Sequence, residues 1–120
     1  MNTRTLGAAG EQLAVSYLMS KGYEILDRNF HVRKAEIDII AAKDGCIVFV
    51  EVKRRDNQKH GMPKEAVTIS KQKSISLASL TYLQKIGKLD NKVRFDVIEI
   101  LKIDNKFEIN HIIQAFDFIM

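Results

Sequence analysis

A chain of 120 residues can form one compact domain with its own core, here residues 1–120, and is too short for two ordinary ones. At 46% hydrophobic and 28% charged, with one Pro and six Gly, the composition excludes long low-complexity tracts, and the lone Cys46 excludes an internal disulfide. The net charge of +4 points only weakly to nucleic acid, but its placement says more: from Arg28 to Lys73 there are eleven Lys or Arg against six acids.

In chain order, residues 7 to 21 repeat with helical spacing. Ala14, Val15, Tyr17 and Leu18 make one stripe, and Gly22 stops the helix. Glu11 falls three and four residues before Ala14 and Val15, so it lies on the same core-facing stripe, where an acid needs a reason. The segment YEILDRNF is a short strand, and a hairpin follows whose turn is Lys43-Asp44-Gly45-Cys46, because Asp-Gly between apolar runs suits a type I′ turn. Residues 57 to 68, with Gly61 and Pro63, form a loop. A second helix runs from about Ser70 to Ile86, with Ile75, Ala78, Tyr82, Leu83 and Ile86 inward and Gly87 as its stop. Two more strands meet at Asp104-Asn105, giving the order α-β-β-β-α-β-β. No apolar run approaches the roughly 20 residues of a membrane helix, and the N-terminus lacks a signal-peptide core, so a cytoplasmic protein with no membrane partner is expected.

The hairpin carries the chemistry. With Asp44 and Gly45 at its tip, Ile40 faces Phe49, Asp38 faces Glu51 and Glu36 faces Lys53, and these charged residues share one side of the sheet. Two carboxylates opposed across a strand pair, about 5 Å apart, repel by about 3 kcal/mol at an effective dielectric near 20. Lys53 alone does not balance Glu36, Asp38, Glu51 and Glu11, and the excess negative charge suits Mg²⁺, which takes hard oxygen ligands and often only one or two carboxylates. The plain alternative is a solvated strand face. Against it, the acids interrupt Ile, Val and Phe runs that read as buried on both faces, and Glu11 approaches from a core-facing stripe. An ion pair between Glu36 and Lys53 remains open for those two residues.

The spacing of EID and, thirteen residues after its Asp, EVK resembles the PD-(D/E)XK nuclease signature. The chain as a whole is similar to the YraN family of small bacterial proteins. The similarity runs from GAAGEQLAVSYLMSKGYEILDRNF through FVEVKRR, GMPKEAVT, SKQ and RFDV to HIIQAF. The resemblance implies a restriction-endonuclease-like α/β core, a mixed central sheet flanked by helices, of the kind also used by archaeal Holliday junction resolvases. It implies a metal-dependent endonuclease-like protein acting on DNA phosphodiesters, with branched or structured DNA among its expected substrates and Mg²⁺ or Mn²⁺ as cofactor. Carried over position by position, Glu11, Asp38 and Glu51 are the metal ligands, and these three with Lys53 are the catalytic residues.

Around that centre Arg33, Lys34, Arg54, Arg55, Lys71 and Lys73 are expected to bind nucleic-acid phosphates, which would make binding salt-dependent and largely indifferent to sequence. Phe49, Phe95 and Tyr82 are assigned to the core, and the scattered His31, His60 and His111 are given no catalytic part. Arg94 and Asp96 of RFDV match the family, and a structural ion pair explains them equally well. The resemblance leaves a homodimer open, since nucleases of this fold that cut both strands are often dimers. The rival from another class is a nucleic-acid-binding module that keeps the fold without turnover.

Overall fold

Seven elements follow in the expected order in the protein's computed structural model, which describes residues 3–55 and 67–120. Helix α1 (Thr3–Ser20) leads into β1 (Glu24–Val32), β2 (Ala35–Lys43) and β3 (Cys46–Arg55). Helix α2 (Ile69–Ile86) then connects to β4 (Lys92–Ile103) and β5 (Lys106–Phe116). One mixed sheet results, in the order β1-β2-β3-β4-β5; β3 and β4 run parallel and every other neighbouring pair antiparallel. A parallel pair needs a long crossover, and α2 lies on it. The loop expected around Gly61 and Pro63 lies outside the described residues apart from its last two positions.

Local chemistry sets the boundaries. Asp44 and Gly45 take positive φ (52° and 79°), as a two-residue type I′ turn requires, and the turn fixes the register Lys43↔Cys46, Ala42↔Ile47 and Ile40↔Phe49. Thr68 caps α2, its hydroxyl accepting from Lys71 N–H at 3.2 Å, and Gly87 ends the helix in the left-handed region at φ 70°.

The helices cover opposite faces of the sheet. On one, Ala14, Val15 and Leu18 of α1 pack on Ile39, Val48, Val50 and Ile98. On the other, Ile75, Ala78, Tyr82 and Leu83 of α2 pack on Ile40, Phe49, Phe95 and Val97. Phe49, Phe95 and Phe116 stack in series, with Tyr82 edge-on to Phe49, so the aromatics belong to the core as expected. Ile86 is the exception on α2, being 36% exposed at the helix end. Cys46 is buried and free at the start of β3. Among the described residues no helix is long and apolar enough to cross a membrane.

One departure positions the site. Ile37 and Ile40 sit in the same core layer, although strict alternation would send them to opposite faces. The β2–β3 ladder also stops at Ile39↔Val50. Beyond that pair the strands part, at the end of the hairpin that holds the acids.

Candidate metal and nucleic-acid site

In the gap between the parting strands Val52 N–H donates to Asp38 Oδ2 at 2.8 Å, so a side chain takes the place of the missing ladder partner. The expected direct pairing of Asp38 with Glu51 and Glu36 with Lys53 is therefore replaced by an opened end. The two carboxyls still feel each other strongly. Burial, and then the charge of Glu51, push the Asp38 carboxyl up to about 7 against one lowering influence, the Val52 bond, while Glu11 and Glu36 add smaller raising contributions.

Glu51 is only 5% exposed, and among the described residues its Oε2 has no hydrogen-bond partner. Its Oε1 faces two cations: Lys71 Nζ at 3.1 Å and Lys53 Nζ at 3.7 Å. Lys53 thus pairs with Glu51 rather than Glu36, and it is not the lone cation of the cluster. Lys71, expected on the phosphate-binding rim, reaches in from the first turn of α2. Burial opposes its charge, but the attraction of Glu51 and the hydrogen bond that Lys71 donates to it outweigh that and hold its pKa above the ordinary lysine value.

Glu11 joins from α1. Its carboxyl is raised by burial and then by Glu36, and an Asn29 bond lowers it. With its amide nitrogen turned toward the acids, Asn29 bridges Glu36 Oε1 at 3.0 Å and Glu11 Oε2 at 3.1 Å. Asn29 holds φ at 53°, a left-handed conformation that Asn tolerates well, inside a strand. His31 Nε2 stands 3.6 Å from Glu36 Oε1. The sequence reading gives Asn29 no role and His31 no catalytic part; for Asn29, a polar residue breaking the β1 pattern is the available signal.

Among the described residues no three His, Cys, Asp or Glu side chains by themselves close a metal shell. The donor set nevertheless fits a hard divalent ion: two carboxylates, Asp38 and Glu51, with a buried partnerless oxygen, leave the remaining positions to water and phosphate oxygens, as Mg²⁺ prefers.

The expected phosphate-binding residues divide. Arg33 and Lys34 form the exposed β1–β2 turn, at the same end of the sheet as the acids, and Lys73 is exposed on α2. Arg54 lines a groove with Lys102, Asp104 and Asn105 at the β4–β5 turn. Arg55, by contrast, is turned into the sheet against Glu99 of β4, its side chain 10% exposed, so a place on the outer rim does not describe it.

A second polar cluster, on the α1 face, explains Arg94 and Asp96. The fully buried Asp96 accepts from Arg94 Nε and Nη2 (both 2.8 Å), from Gln114 N–H (3.0 Å) and from His111 Nε2 (2.7 Å). With Nε2 protonated toward Asp96, His111 Nδ1 accepts from the Tyr17 hydroxyl at 3.1 Å, and Arg94 also donates to Tyr23 at 2.6 Å. Burial would raise the Asp96 carboxyl, but the bonds from His111, Arg94 and Gln114 prevail and hold it below the usual value. The ion-pair reading of RFDV is correct, and it extends to a helix and a strand that the sequence did not connect.

Comparison with known proteins adds a family. Residues 10–100 match the uncharacterised protein family UPF0102. The chain is 49% identical to a UPF0102 protein of Syntrophomonas wolfei over 113 residues, covering 94% of this chain and 98% of the relative. It is 51% identical to one of Alkaliphilus oremlandii over 115 residues (94% and 98%) and 48% identical to one of Geobacter metallireducens over 117 residues (98% and 96%).

Proposed function

The chain belongs to the UPF0102 (YraN) family, and from that premise and the acidic gap we propose that it is a divalent-metal-dependent endonuclease of restriction-endonuclease-like fold, hydrolysing phosphodiesters of branched or structured DNA. One observation carries the reading. Glu51 is a buried carboxylate with an oxygen that has no partner among the described residues, beside an Asp38 whose proton is held to about 7, and no packing need explains two such acids in the middle of a sheet. The sheet order, with a parallel β3–β4 pair bridged by α2 and a helix on each face, agrees with the fold that the resemblance implies.

Asp38 and Glu51, with Glu11 beside them, would hold Mg²⁺ or Mn²⁺; the chemistry supplied there would be neutralisation of phosphate oxygens and a lower pKa for an attacking water. Lys53, 27% exposed and 3.7 Å from Glu51, orients that water or offsets the charge that grows on phosphorus. Arg33, Lys34 and Lys73 attract the backbone. Binding without turnover is the second reading, favoured by the two lysines that already occupy Glu51 Oε1.

Incubation of the pure protein with four-way junction, single-stranded and duplex DNA, each in Mn²⁺, Mg²⁺ or EDTA, separates the readings. Cleavage is expected with metal and none in EDTA, and Lys53→Ala should slow it by about 100-fold. Salt-dependent binding with no cleavage of any substrate selects the second reading. Absence of binding as well rejects both.

A further inference from the structure

We propose that Lys71 is a displaceable counter-ion. Its ammonium holds Glu51 until a divalent cation arrives, then leaves the carboxylate and takes up a phosphate oxygen of the nucleic acid. The inference rests on the metal-dependent reading and deepens it, saying how the site is kept closed before loading.

Four observations support it. Glu51 is 95% hidden from water, and a carboxylate so placed is costly unless compensated, so the metal-free fold needs a cation there. Lys71, at 3.1 Å, is within hydrogen-bond reach of Glu51 Oε1, whereas Lys53 at 3.7 Å is not. Among the described residues Glu51 Oε2 has no partner, so one ammonium leaves the carboxylate half satisfied, and a dication beside Asp38 could compete for it. Finally, the Lys71 side chain is 43% exposed on a flexible stem, so it can swing into water cheaply.

Charge makes the exchange mutual. With a dication on Asp38 and Glu51 and Lys53 still close by, an ammonium on the same carboxylate would be repelled. Released, it lies in the first turn of α2, where the helix dipole favours an anion, beside the Thr68 cap.

The test is Mn²⁺ binding followed by calorimetry without nucleic acid, on the wild type, Lys71→Met, Glu51→Gln and, as a control in the last turn of the same helix, Lys85→Met. Removing the competing cation should tighten Mn²⁺ binding about fivefold in Lys71→Met, the scale of a partly exposed ion pair, and leave Lys85→Met unchanged. Lys71→Gln repeats the measurement with a polar side chain. If the wild type binds Mn²⁺ and both Lys71 variants bind it equally or more weakly, the exchange is overturned and the metal reading stands. If neither wild type nor variants bind, both fall. The phosphate half is read from the salt dependence of duplex binding. With Ca²⁺ loading the site, Lys71→Met should lower the slope of log affinity against log salt by about one, and in EDTA by nothing. Equal slopes in Ca²⁺ overturn that half.

Discussion

Asp38→Asn should raise the melting temperature of the metal-free protein at pH 8 by about 8 °C while abolishing metal-dependent cleavage. An Asp38 carboxyl raised from 3.8 to about 7 corresponds to about 4 kcal/mol of unfavourable ionisation in the native state, arising first from burial and then from Glu51. Asn removes that charge and keeps an oxygen for the Val52 N–H; its buried amide nitrogen returns part of the gain, leaving about 2 kcal/mol. The pH dependence has a definite sign. Between about pH 4 and 7 the native protein keeps a proton that the unfolded chain has released, so wild-type stability falls as pH rises through that window, and the loss is complete above 7. Asp38→Asn should lack this decline. Melts in EDTA from pH 5 to 8 provide the comparison, and Mg²⁺ should raise the wild-type curve without moving the variant. A variant that is less stable than wild type at pH 8, together with no Mg²⁺ effect on either, would mean that the acids are structural.

Asp96→Ala should do the reverse, costing about 3 to 5 kcal/mol in urea denaturation at pH 7, because it strands Arg94 and His111 with no acceptor at their centre. The Asp96 carboxyl is held low, so its contribution is complete above the ordinary carboxylate range and disappears as pH falls below it. The difference between wild type and variant should therefore narrow in acid. A cost under about 1 kcal/mol at pH 7 would show that Arg94 and His111 find water instead.

Much of this could be read in the chain because it depends on local rules. The Asp44-Gly45 turn fixes the hairpin register by its φ requirements, and the periodicity of Ala14, Val15 and Leu18 fixes the buried side of α1. The acids of the hairpin stood out as charges inside apolar runs. What alternation could not supply is the slip between Ile37 and Ile40, which comes from replacing a ladder bond with the Asp38 side chain. Lys71 on Glu51 depends on how the crossover lays α2 across the sheet, and Tyr17 is 94 positions from His111, so neither pairing leaves a trace in spacing. Arg55 looked like a rim cation because its partner, Glu99, lies on a strand that only the parallel β3–β4 pairing brings alongside.

The parting of β2 from β3 also creates a hazard of its own. Past Val50, β3 has a ladder partner only on β4 among the described residues, so a short stretch in the middle of the sheet presents backbone groups as an outer strand does. Such a stretch invites a strand from another chain, and self-association through it would bury the acids. Lys53 and Arg54 occupy that stretch, and cations on an open strand discourage intruding strands of like charge. The basic run after Glu51 would then keep the protein from aggregating as well as drawing in phosphate. Replacing Arg54 with Thr, in a Glu51→Gln background that cannot cut, should increase light scattering on prolonged incubation at high protein concentration; an unchanged signal would leave this arginine with its electrostatic role alone.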